Sequence, residues 1–158
     1  MATIQVGDKA PDFALASDQG GDIRLKDFAG RTVVVYFYPK DDTTGCTNEA
    51  KAFTEAKPKF DALRAEIVGV SKDSIKSHGK FRLKYDLAIR LGSDVDGTVV
   101  ESFGVWVQKS MYGRSYMGIE RATFLIDGSG VVRKVWRKVS VPGHVDAVLG
   151  AAQALTGE

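Results

Sequence analysis

The stretch Val33-Val-Val-Tyr-Phe-Tyr38 contains no polar position except two phenol hydroxyls, and it is bounded by Gly30-Arg31 and Pro39. A short, continuous apolar run of this kind predicts a β-strand covered on both faces. Beyond Cys46 the period changes. Residues 47 to 56 read as a helix, and Pro58 marks a restart, because proline suits a helix's first turn. Phe60, Leu63 and Ile67 continue the apolar spacing, and Ile67-Val-Gly-Val-Ser71 predicts a second buried strand. Asp73 then reads as the N-cap of a helix reaching about Tyr85, with Ile75, Phe81, Leu83 and Tyr85 available for burial. Ala88 to Leu91 is a short strand candidate, and Asp96 to Gly104 a short helix closed by glycine.

The last third is patterned more clearly. Arg121 to Asp127 and Val131 to Arg137 flank Asp127-Gly-Ser-Gly130, a hairpin signal. Pro142 opens a terminal helix whose Val145, Val148, Leu149 and Ala152 recur at helical spacing. Parallel strands early and a hairpin late predict an α/β architecture with a mixed central β-sheet flanked by helices, a plan that resembles thioredoxin. Without repeats, low-complexity tracts or a linker, residues 1-158 read as a single domain.

Composition narrows the function classes. At 158 residues, one domain can bury roughly 70% of its unfolded surface. The 44% hydrophobic and 27% charged content is ordinary for a globular chain. The net charge of +2 is spread without blocks of like sign, which gives no reason to invoke nucleic acid or an anionic membrane. Met-Ala-Thr-Ile-Gln-Val-Gly-Asp at the start lacks a basic and an apolar signal region, and no apolar run approaches the ~20 residues of a membrane span. With one cysteine, no disulfide can close within the chain, and a reducing, cytoplasmic setting is expected.

That cysteine is the candidate for chemistry. It sits in Pro39-Lys-Asp-Asp-Thr43-Thr44-Gly45-Cys46, where a strand ends at proline, turns through Asp and Thr, and enters a helix. A thiol in a helix's first turn meets free backbone N–H groups and the positive end of the dipole, which favour a thiolate. A lone cysteine is often only a small buried hydrophobe. A polar, hydroxyl-rich turn is a poor place to hide sulfur, and the expectation is a reachable, activated one. Other signals point elsewhere. Asp94-Val-Asp96-Gly97 lacks the remaining ligands of a calcium loop and reads as a cap and turn. His78 and His144 lie on different predicted elements without partners at ligand spacing, so no metal is expected. Asp127-Gly-Ser-Gly130 is a turn, since no helix pattern follows it.

Pro39-x-x-x-Thr43-x-x-Cys46 resembles the active-site signature of peroxiredoxins, the thiol peroxidases. Ala10-Pro-Asp-Phe13, Val35-Tyr-Phe-Tyr-Pro39, Gly69-Val-Ser71 and Gly118-Ile-Glu-Arg-Ala-Thr-Phe-Leu-Ile-Asp127 fall in the family's order. Val105-Trp106, Lys109, Met111-Tyr-Gly113 and Tyr116-Met-Gly118 are similar to the bacterioferritin comigratory protein, or PrxQ, branch. The resemblance covers nearly the whole chain. It implies a thioredoxin-like fold with a peroxiredoxin N-terminal extension, no cofactor, and catalysis by Cys46, Thr43, Arg121 and Pro39. Arg121 would stabilise both the thiolate and the leaving oxygen. Thr43 would bond the peroxide, and Pro39 would fix the turn and help to screen the sulfur. Glu49 reads either as a support for Arg121 or as a surface residue. One of Thr43 and Thr44 reads as an N-cap, and Tyr38 and Trp106 as pocket wall or core.

The chain departs from the family at the second, resolving cysteine. Five residues after Cys46 stands Lys51, and the Phe81 to Tyr85 region holds no cysteine either. A sulfenic acid on Cys46 would therefore be reduced by an external thiol, such as thioredoxin, glutaredoxin with glutathione, or a second subunit's Cys46. The expected assembly is a monomer or weak homodimer. A dithiol oxidoreductase is ruled out, because position 49 is Glu where Cys-x-x-Cys needs sulfur. A peroxide sensor or holdase that has kept the fold and lost turnover is the alternative.

Overall fold

The computed structural model describes residues 4–157, so the first three residues of the N-terminal stretch read above lie outside the described residues. Seven strands form one mixed sheet in the order β2-β1-β5-β4-β3-β8-β9. Its centre is β3 (Thr32–Phe37), which pairs in parallel with β4 (Ala65–Ser71) and antiparallel with β8 (Ala122–Ile126). The apolar run around residue 35 is a strand because both of its faces are occupied. Val33, Val35 and Phe37 enter one core cluster, and Val34, Tyr36 and Tyr38 enter the other.

The helices divide between those two faces. α1 (Thr44–Ala62), α2 (Ile75–Tyr85) and α4 (His144–Thr156) cover the Tyr36 face through Phe53, Phe60, Phe81, Val145, Val148, Leu149 and Ala152. The short α3 (Thr98–Ser102) and a 3-10 turn, Leu25–Phe28, cover the other with Val99, Val100 and Phe28. Beyond β4 lie β5 (Arg90–Ser93), in parallel, and then an antiparallel N-terminal hairpin, β1 (Ala14–Ser17) with β2 (Asp22–Arg24). β9 (Val132–Trp136) closes the far edge against β8.

Several expectations change. α1 does not break at Pro58; it continues to Ala62 because Phe53 before the proline and Phe60 after it are both fully buried in one core. The chain then turns at Arg64, in the left-handed region (φ 57°), so β4 starts at Ala65. Ser74, not Asp73, caps α2 by accepting from Ser77 N at 3.1 Å. On that helix Ile75 and Leu83 are exposed, and His78 takes the inward position. A two-stranded sheet absent from the sequence pattern, β6 (Trp106–Met111) with β7 (Arg114–Ile119), stands apart and exposes Met111, Tyr112, Tyr116 and Met117. Among the described residues no helix is long and apolar enough to cross a membrane.

Candidate active site

β3 delivers the chain to Tyr38, the turn 39–43 reverses it, and α1 begins at Thr44, so Cys46 occupies that helix's first turn as expected. The expectation of a reachable sulfur does not hold. Cys46 is 1% exposed and belongs to the core cluster that also holds Tyr36, Tyr38, Ala50 and Phe53. Thr43 and Thr44 are exposed, while Asp41 of the turn is buried and the helix's third residue rotates onto the sheet.

Arg121 follows β7 by one residue and leads into β8, where its side chain reaches the helix start. Its Nη2 donates to Cys46 Sγ at 3.3 Å, and its Nη1 donates to Glu49 Oε1 at 2.8 Å. Glycine before the cysteine leaves room for this approach, because a Cβ on Gly45 would lie 3.1 Å from Nη2, closer than an ordinary contact. Glu49 is not a surface residue. It is fully buried, its Oε2 has no partner among the described residues, and burial pushes its pKa up to about 7 against the pull of Arg121. Burial opposes the charge on Arg121 too, but Cys46 and Glu49 outweigh it and raise its pKa.

Thr43 stands at the N-cap position of α1 without capping it; its hydroxyl donates to Lys40 O at 2.8 Å. With the proton so committed, the oxygen's lone pairs are left to accept from a bound molecule. Pro39 is exposed at the head of the turn, and Thr44 is the first helical residue; neither makes a hydrogen bond to the sulfur. Tyr38 is core, and its hydroxyl donates to Asp41 Oδ1 at 2.6 Å. Trp106, half-buried, lies under Lys72, whose Nζ is 4.2 Å from the ring centroid. Lys109 also faces this region: burial first, then Arg121, lower its pKa, while Cys46 pulls it back. In the sequence Lys109 stands out only as part of a motif, since a lysine on an unrecognised strand carries no signal of its own.

Both histidines have partners that linear spacing hides. His78 Nδ1 lies 2.7 Å from Asp41 Oδ2, and Asp41, Asp73 and His78 present atoms within 4.8 Å of one another. These are ligand types, but their atoms are already engaged in hydrogen bonds: Asp73 Oδ2 accepts from Asp41 N and Ser71 Oγ. Burial opposes the positive charge on His78, but the bond and charge of Asp41, helped by the Gly92 carbonyl, outweigh it and raise its pKa. His144 pairs through Nε2 with Thr123 Oγ1 at 2.7 Å; burial and then Arg121 push its pKa down to about 4. The Asp94 to Gly97 stretch is a cap and turn, with Asp94 accepting from Val99 N and Val100 N and Asp96 from Thr98 N.

Residues 6–135 match the AhpC/TSA family. The chain belongs to that family. It is 48% identical over 147 residues to peroxiredoxin Bcp of Bacillus subtilis, covering 93% of this chain and 94% of the relative. It is 38% identical over 149 residues to peroxiredoxin Bcp of Escherichia coli, covering 94% and 96%. Among solved structures, the Xanthomonas campestris bacterioferritin comigratory protein, described for its alkyl peroxide reduction activity, matches with a TM-score of 0.89. That likeness has 43% identity and covers 99% of each chain. The protein is a peroxiredoxin of the Bcp, or PrxQ, type with one cysteine, and a thiol peroxidase.

Proposed function

We propose that the enzyme reduces hydrogen peroxide and organic hydroperoxides at Cys46 and is returned to the thiol by an external small or protein thiol. The observation that carries this reading is the 3.3 Å contact between Arg121 Nη2 and Cys46 Sγ at the start of a helix. A permanent charge and free backbone N–H groups at one sulfur favour its anion, the nucleophilic form. The thiolate attacks one peroxide oxygen, forming an S–O bond as the O–O bond breaks. Arg121 stabilises the charge that develops on the departing oxygen, which leaves as water or an alcohol after taking a proton. Thr43 accepts a hydrogen bond from the peroxide and so orients it. Pro39 fixes the turn that carries Thr43, and Glu49 holds Arg121 from behind.

The sulfenic acid then condenses with an outside thiol, releasing water and giving a mixed disulfide. A second thiol displaces Cys46 and leaves as the disulfide. The positions where the family carries its second cysteine support an external donor. Lys51 lies over the Tyr85 ring at 5.9 Å, and Arg82 pairs with Asp18 at 2.6 Å. Thioredoxin and glutaredoxin with glutathione are the donors to try, in the cytoplasm, with the enzyme as a monomer or weak dimer. Peroxide-dependent oxidation of each thiol, measured for the wild type and Cys46→Ser, tests the reading. Turnover should vanish in the variant, and unchanged turnover would end it.

A further inference from the structure

The hairpin β6–β7 has two faces. Trp106 and Ile119, paired across it, pack toward the core, and alternation puts Lys109, Tyr116 and Gly118 on the opposite face. Lys109 stands directly across from Tyr116, but its stem does not stay there. It runs diagonally over Gly118, where an added Cβ would lie 3.2 Å from Cδ and 3.4 Å from Cε. Gly118 is three residues before Arg121, so the lysine leans along β7 toward the guanidinium that contacts Cys46.

The ammonium has no acidic partner. Lys109 is half-buried, yet it forms no hydrogen bond or ion pair with any described residue. Glu120, the carboxylate beside Arg121, is taken by Arg137 at 3.0 and 3.3 Å and by Lys138 N at 3.2 Å. Burial and then Arg121 lower the lysine's pKa, whereas Cys46 and Glu120 raise it, so these groups lie within electrostatic reach of it. Holding a half-buried cation without a counter-ion is costly. A thiolate at Cys46 is the charge that would repay it.

The balance of charge around the sulfur points the same way. Tyr36 and Tyr38 face it from β3, Glu49 from α1, and Arg121 and Lys109 from the far side. Burial keeps both phenols neutral, and Asp41 of the turn is paired with His78 at 2.7 Å. Arg121 is divided, with Nη1 on Glu49 at 2.8 Å and Nη2 on Cys46 at 3.3 Å. Once Glu49 ionises, one guanidinium faces two anions, and Lys109 is the cation that evens the count.

We propose that Lys109 is a second cation of the active site, laid over Gly118 so that its ammonium stabilises the Cys46 thiolate, which Arg121 must share with Glu49. It acts across space on the sulfur's charge and so tunes the nucleophile. The proposal deepens the peroxidase reading above and rests on it.

The test follows the ultraviolet absorbance of the thiolate against pH, with Cys46→Ser as the blank for the tyrosines. Lys109→Met keeps an apolar stem over Gly118 and removes only the charge. Its thiolate should appear about half a pH unit or more above the wild type's midpoint. Oxidation by hydrogen peroxide below that midpoint should slow by ~3-fold or more, as the thiolate fraction falls. Lys109→Arg restores a charge and should recover most of both losses. Gly118→Ala crowds the stem and should shift the midpoint in the same direction by less. Lys72→Met removes a lysine that lies over Trp106, on the other face of the hairpin, and should leave the titration unmoved.

A Lys109→Met titration that coincides with the wild type's would overturn the second cation. Equal defects in Lys109→Met and Lys109→Arg would overturn it too, because they would mark the shape of the stem and not its charge. The titration needs no turnover. A wild type that is oxidised once and never restored by any thiol would count against the external-thiol reading, and the titration alone would then decide the role of Lys109.

Discussion

Glu49 and Arg121 meet at 2.8 Å in a place where the carboxylate has no exposed surface at all. Removing one member of a buried pair leaves the other uncompensated and free to reorient. Glu49→Ala should therefore let Arg121 swing away from Cys46 and slow the peroxide step by ~10-fold or more, comparable to losing a charge-stabilising donor. Glu49→Gln keeps an acceptor oxygen and should lose less. Single-turnover oxidation of Cys46 measures both, and two variants that match wild type would contradict the supporting role.

The close approach at Gly45 separates activity from stability. Gly45→Ala puts a methyl 3.1 Å from Arg121 Nη2, yet it replaces glycine by the best helix former in the first turn of α1. Peroxide reactivity should fall ~10-fold with unfolding free energy unchanged or slightly higher. Gly69→Ala behaves in the opposite way. Its Cβ would lie 2.7 Å from the Tyr36 ring, which stacks on Phe53 at 4.6 Å, so overpacking should cost ~1–3 kcal/mol. Denaturant melts and oxidation rates on both variants test the contrast.

Glu49 and His144 give the stability–pH curve two slopes of opposite sign. The folded state raises Glu49 from 4.5 to about 7, so between these values the native chain holds the extra proton. Its contribution is present below pH 4.5 and is lost as pH rises toward 7. His144 is lowered from 6.5 to about 4, so the unfolded chain protonates first and stability falls as pH drops from 6.5 to 4, by ~3 kcal/mol at most. Relative to Glu49→Gln, wild type should lose stability as pH rises through 4.5–7. His144→Gln should flatten the acid limb. Melts across pH 4–8 check both signs.

Pro58 interrupts the hydrogen-bond ladder of α1 without ending the helix. Pro58→Ala restores an N–H facing the Thr54 carbonyl and should raise stability by ~1–3 kcal/mol, less whatever entropy the proline removes from the unfolded chain. A variant less stable than wild type would mean that the ring itself packs usefully there.

Much of this was legible in the sequence for physical reasons. β3 announced itself because both faces are buried, and α4 because one face is. The turn into Cys46 was readable because proline, Asp and Thr punctuate it, and the family signature supplied the partnership with Arg121, which is 75 residues away. What could not be read was tertiary. Tertiary burial carried α1 through Pro58, whereas local rules predicted a restart. The β6–β7 sheet is largely exposed and has no alternation of apolar and polar positions to reveal it. The burial of Cys46, Glu49 and His78 depends on which way a helix rotates against a sheet, and the Asp41–His78 pair joins residues 37 apart with no motif between them.

The most direct measurement is the fate of one oxygen atom. Treating the reduced enzyme with a single equivalent of hydrogen peroxide and mapping the product by mass spectrometry should find that oxygen on Cys46 alone. A small thiol should then remove it, and Arg121→Ala should slow its arrival. Oxygen recovered instead on exposed Met111 or Met117, with Cys46 untouched, would contradict the account.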